Sequence, residues 1–99
     1  MHHRVWSKMI EHWRDAFQDM AADCPRMAWC EVTVDHEKRL AQLPDIAACI
    51  PSFKPALDGI VRAGVLHDDG PEFVRKVTFN PPRHTGRDAL VVDLIGPAA

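Results

Sequence analysis

The sequence predicts a small α/β (α+β) fold, a sheet of about three strands packed against two helices in the order helix, strand, helix, strand, strand. Three observations predict it. Trp6, Met9, Ile10, Trp13, Phe17, Met20 and Ala21 recur at three- and four-residue steps, the period of a helix with one apolar side. Residues 27–35 instead alternate, with Ala28, Cys30, Val32 and Val34 on one side and Trp29, Glu31, Thr33 and Asp35 on the other, the period of a strand. Phe53, Leu57, Ile60 and Val61 return to the helical period, and two further strand candidates follow at 72–80 and 88–95.

Each element has its punctuation. The first helix is expected over residues 5–22 and is closed by Cys24-Pro25, because the residue before a proline is pushed away from helical geometry. Residues 36–44 read as a polar connection, and 45–50 as a turn or a first helical segment. Pro51 sits in the first turn of the second helix, where a missing N–H costs nothing, and Gly64 suits its C-terminal cap. The segment 81–87, Pro-Pro-Arg-His-Thr-Gly-Arg, suits a hairpin connection between the last two strands.

With 99 residues there is room for one domain, 1–99, and one core, burying about 60–65% of the unfolded chain's surface. The longest apolar run falls far short of the roughly 20 residues that a membrane span needs. Charged and polar residues interrupt 2–14, so no leader is read there, and a cytoplasmic setting without membrane attachment is expected. Cys24, Cys30 and Cys49 are odd in number and form no CxxC pair, which fits neither a disulfide frame nor a zinc knuckle. The six histidines form no zincin pattern, and there is no glycine-rich phosphate loop or Ser-His-Asp signature. A formal charge of −2 gives no overall basic excess for nucleic acid, although a local basic face is compatible with it.

Chemistry concentrates in residues 54–70, KPALDGIVRAGVLHDDG, where a helix carrying Lys54 and Asp58 runs into a turn holding Asp68 and Asp69. Lys54 reads either as a phosphate contact or as a solvated helix lysine, and Asp58 as its i,i+4 partner or that of Arg62. Adjacent aspartates can hold Mg²⁺, which activates water and neutralises charge on a phosphate, but Asp-Asp-Gly is also an ordinary turn. Asp45 is either a further carboxylate for such a site or a helix N-cap. His67 reads as a solvated turn histidine.

These residues carry a family likeness. The pattern K-x-x-x-D-(A/G)-(L/I)-x-x-A-G-V-x-x-D-D, here Lys54, Asp58, Gly59, Ile60, Ala63, Gly64, Val65, Asp68 and Asp69, resembles that of the RusA-like Holliday-junction endonucleases, small dimeric enzymes common in phages and prophages. The likeness covers roughly residues 7–95 and rests on 51–70. It implies Lys54 and Asp69 as catalytic residues, Mg²⁺ held by Asp45, Asp68 and Asp69, and DNA held by Lys38, Arg39, Lys54, Arg83 and Arg87. It also implies a homodimer acting on branched DNA.

The departures from the pattern are specific. The family's D-x-D-N ahead of the lysine falls here on Ala48, Ile50 and Pro51, and the strand pair that opens the fold is expected to be missing or replaced. Losing a carboxylate from a near-octahedral Mg²⁺ site removes most of its hold on the ion. The expectation is therefore a protein of this fold with impaired or lost nuclease chemistry, acting by binding branched DNA or a host protein. An active Mg²⁺-dependent endonuclease is the alternative.

Overall fold

The computed structural model describes residues 1–8 and 13–99, with side chains described for 1–5 and from 13 onward. The element order is β1 (His2–Lys8), α1 (Trp13–Met20), β2 (Cys30–Lys38), a 3-10 turn (Ile46–Cys49), α2 (Ile50–Arg62), β3 (Val74–Phe79), β4 (Arg83–His84) and β5 (Ala89–Ile95). Among the described residues the strands form one mixed five-stranded sheet in the order β1-β5-β2-β3, with β4 also on β2. The α+β class is as expected, but the number of strands and their order are not.

The first correction concerns the opening residues. The predicted helix over 5–22 is replaced by a strand, His2–Lys8, and a shorter helix, Trp13–Met20, while Met9 and Ile10 of the predicted stripe lie outside the described residues. All seven residues of β1 pair antiparallel with β5, from His2 opposite Ile95 to Lys8 opposite Ala89. The hydrogen-bonding edge of an apolar strand outweighs a local helical period, as tertiary context commonly does. An opening strand is thus present rather than missing. In α1, Phe17 and the following Ala21 are fully buried as the stripe predicts, whereas Met20 is exposed.

β2 starts later than expected and runs through Lys38, absorbing part of the polar connection, because residues 31–37 pair with β5 and Glu37 and Lys38 pair with β4. The hairpin expected between the last two strands does not form. β3 lies parallel to β2 on one side and β5 antiparallel on the other, so β2 separates them. Segment 81–87 instead crosses the end of β2 and leaves β4 on it as a two-residue parallel strand.

One face of the sheet is covered by the helices. Val5, Cys30, Val32, Val34, Leu90, Val92 and Leu94 pack there against Phe17, Ala56, Leu57 and Ile60. α1 and α2 meet at Gly59, where a Cβ would run into the backbone oxygen of Arg14 and lie 2.8 Å from the Gln18 nitrogen. The opposite face carries Arg4, Asp93 and Thr33 in one lateral row and Ala89, Glu37 and Arg83 in another. No helix among the described residues is long and apolar enough to cross a membrane.

Candidate functional site

α2 fixes the first half of the site. Pro51 stands in its first turn, Asp45 caps the 3-10 turn before it by accepting a hydrogen bond from the Ala47 N–H at 3.0 Å, and Lys54 and Asp58 lie one turn apart. The chain then reverses at Gly64, whose φ of 88° lies in the region that glycine enters without steric cost. Val65 and Leu66, buried in the core, anchor the returning segment and bring Asp68 and Asp69 back alongside the helix. His67, exposed beside them, stacks near Phe73 and reaches Arg26 at 3.5 Å.

The expected catalytic pair comes together. Lys54 Nζ donates to Asp69 Oδ2 at 2.5 Å and to Asp58 Oδ1 at 3.0 Å, while Asp68 Oδ1 accepts from the Asp69 N–H at 2.8 Å. Asp58 therefore serves Lys54. The hydrogen bonds to Asp69 and Asp58 push the Lys54 ammonium up to about 12, and the same bond from Lys54 holds the Asp69 carboxyl below its ordinary value. An ammonium has three donors, and two of them are taken here. At neutral pH Lys54 is a fixed cation, unable to act as a base.

Beside this cluster runs an open groove of about 190 Å³ lined by Arg14 of α1, Asp58, Val61 and Arg62 of α2, and Asp68 and Asp69. Arg14 is not among the residues that the sequence singles out for a site. Asp45 does not line this groove. Among the described residues no group of three His, Cys, Asp or Glu side chains is arranged to hold a metal ion.

The residues expected to hold DNA also gather, apart from Lys54, at one end of the sheet. β4 lies beside the end of β2, with Arg83 opposite Glu37 and His84 opposite Lys38. Asp88 accepts from the Arg39 N–H at 3.0 Å and lies 3.8 Å from Lys38 Nζ, and His84 Nε2 is 3.1 Å from the Arg39 carbonyl. Arg87 grips Glu37 through two bonds, at 3.2 and 2.9 Å, which hold the Glu37 carboxyl low.

The Lys54–Asp69 pair makes a testable electrostatic statement. Lys54 is raised, so its contribution is complete below the ordinary lysine value of 10.5 and is lost as pH rises through about 12. Asp69 is lowered from 3.8, so its contribution is complete above that value and lost as pH falls through the folded one. Both groups are partly exposed, with 64% and 31% of their side chains open to solvent, so the pair is worth only some tenths of a kcal/mol. In the Lys54→Met variant, carboxyl NMR titration is expected to show Asp69 moving back up toward 3.8, with little change in melting temperature. An unmoved Asp69 would break the assignment of Lys54 as its partner.

No protein-family model matches the chain, and no curated protein is significantly similar to it.

Proposed function

We propose that the chain is a RusA-like protein of phage type that binds branched DNA and whose junction-cleaving chemistry is impaired or lost. The observation that carries this reading is the state of Lys54. Its ammonium is engaged by both Asp69 and Asp58, which ties up those carboxylates, while the two family carboxylate positions ahead of it are Ala48 and Ile50. What remains is a pair of aspartates with one lysine, too few oxygens for a tightly held Mg²⁺. The gathering of Lys38, Arg39, Arg83 and Arg87 at one end of the sheet supports the DNA half of the reading. A homodimer, as in the family, would present that end twice to a two-fold junction.

Binding and cleavage of a labelled four-way junction, with Mg²⁺ and with EDTA at two salt concentrations, tests it. Salt-sensitive binding without cleavage is expected. Symmetric Mg²⁺-dependent nicks would overturn it in favour of a working endonuclease, with Asp45, Asp68 and Asp69 on the metal and Lys54 on the scissile phosphate. Alanine at Asp69 would then abolish cleavage.

A second reading, capture of a host protein, has its own supporting observation. Leu40, Leu43 and Ile46 in the connection between β2 and α2, and Ile50 at the start of α2, are all exposed. Clustered exposed apolar side chains are a common mark of protein contact. Absence of any junction binding in the same assay would favour this reading.

A further inference from the structure

We infer that the open edge of β1 is a self-pairing surface. On it, His2–Lys8 joins the same strand of a second copy, antiparallel and centred on Val5, so that two sheets become one. The inference rests on the homodimer of the reading above and names its surface, and it makes no use of the DNA half of that reading.

The sheet has two outer strands, and the chain treats their edges differently. β3 is one of them. Its register against β2 slips between Cys30 and Glu31, it carries Arg75 and Lys76 side by side, and Pro81 and Pro82 follow closely. Bulges, cations and prolines are the devices that keep an edge from taking another strand. β1 is the other. All seven of its residues pair with β5 without a slip, and it contains no proline or glycine. No strand among the described residues lies on its far side. Which of its backbone groups are free follows from the ladder. The Gly96 N–H donates to the Met1 carbonyl, so His3, Val5 and Ser7 turn their N–H and C=O groups toward β5. Those of His2, Arg4, Trp6 and Lys8 point away from it, each offering one donor and one acceptor.

The charges select the occupant. A two-fold axis that keeps the sheet continuous runs the two strands antiparallel. With Val5 opposite Val5, Arg4 stands opposite Trp6 of the second copy and Lys8 opposite His2, and every residue of the strand is paired. A slip of two residues either way sets Arg4 against Arg4 or against Lys8, and like charges directly opposite destabilise a ladder. Arg4 also brings its own counter-ion, since Asp93 holds it through bonds of 2.9 and 3.4 Å. The strand is thus complementary to its own copy in one register, which argues for a second copy over an unrelated strand.

Amide hydrogen exchange read residue by residue by NMR, with sedimentation at the same concentrations, tests it. Pairing along a single strand buries little surface, so a weak dimer is expected, formed at about 500 μM and dissociated at about 5 μM. The amides of His3, Val5 and Ser7 are expected to be protected at both concentrations, and those of Arg4, Trp6 and Lys8 only at the higher one. Trp6→Pro removes an N–H that the β1–β5 ladder does not use, and is expected to abolish the dimer while the dilute protein melts as before. Exchange in the unaltered chain decides the matter even if that variant fails to fold. A dimer whose Arg4, Trp6 and Lys8 amides still exchange freely would overturn the edge and leave the homodimer standing on another surface. A chain that stays monomeric at about 500 μM would overturn both, with the junction assay still deciding the DNA reading.

Discussion

Replacing Gly59 with alanine is expected to cost about 3 kcal/mol, a large fraction of the stability of a domain of this size. In an exposed helix the same change would stabilise by roughly 1 kcal/mol, since alanine is the better helix former. Here the new methyl would point at the backbone of α1, overlapping the Arg14 carbonyl oxygen and crowding the Gln18 nitrogen at 2.8 Å. A flexible side chain could swing aside, but two helix backbones in contact can separate only by moving as units. That movement would open the layer in which Phe17, Ala56 and Ile60 are completely buried. For a domain of this size each kcal/mol lowers the melting temperature by roughly 4–8 °C, so a thermal melt reads the effect directly. A Gly59→Ala protein that melts with the wild type would mean that the helices do not touch at this point.

Removing residues 1–8 is expected to convert a well-behaved protein into one that aggregates. β5 reads ALVVDLI and is buried from Ala89 through Leu94, with β1 on one edge and β2 on the other. Without β1, seven residues of backbone donors and acceptors are exposed along the most apolar strand of the chain. The segment has high β propensity, a single charge and no proline, the composition of a segment that pairs with copies of itself. Asp93 would lose both partners, since His2 lies 2.9 Å from it and Arg4 grips it with two bonds, leaving a buried acid unpaired. Size-exclusion chromatography decides the matter. A shortened chain that elutes in the same state as the full chain, with an unchanged melt, would show that β1 is an ornament of the sheet.

Much of this was legible in the sequence, and the reasons differ by element. β2 and α2 announce themselves because their apolar residues follow a single clean period, and β5 because it is a short apolar run bounded by Gly86 and Gly96. β1 was not legible. His2-His3-Arg4-Val5 offers one apolar residue to a strand pattern, while Trp6 begins a run that fits a helix equally well, and only residues 89–95 supply the partner that decides it. The hairpin expectation failed for a related reason: loop chemistry reports that the chain turns, and cannot report that β2 has taken the neighbouring place.

For the candidate site, the proximity of Lys54 and Asp69 was readable from the motif, because a helix followed by a glycine reversal returns the chain past its own earlier turns. Arg14 enters its groove through packing between elements far apart in the sequence, which no local pattern encodes.

The position of β5 bears on how the protein is made. It leaves the ribosome after every other described strand, yet it lies between β1, the earliest of them, and β2. α2 can form early against α1, but neither β1 nor β2 has its antiparallel neighbour until residues 89–95 are free of the exit tunnel. Pairings that close such long stretches of chain form slowly. The nascent protein therefore waits, helices assembled and sheet incomplete, with the apolar side chains of Val5, Val32 and Val34 as the surface that a chaperone would meet.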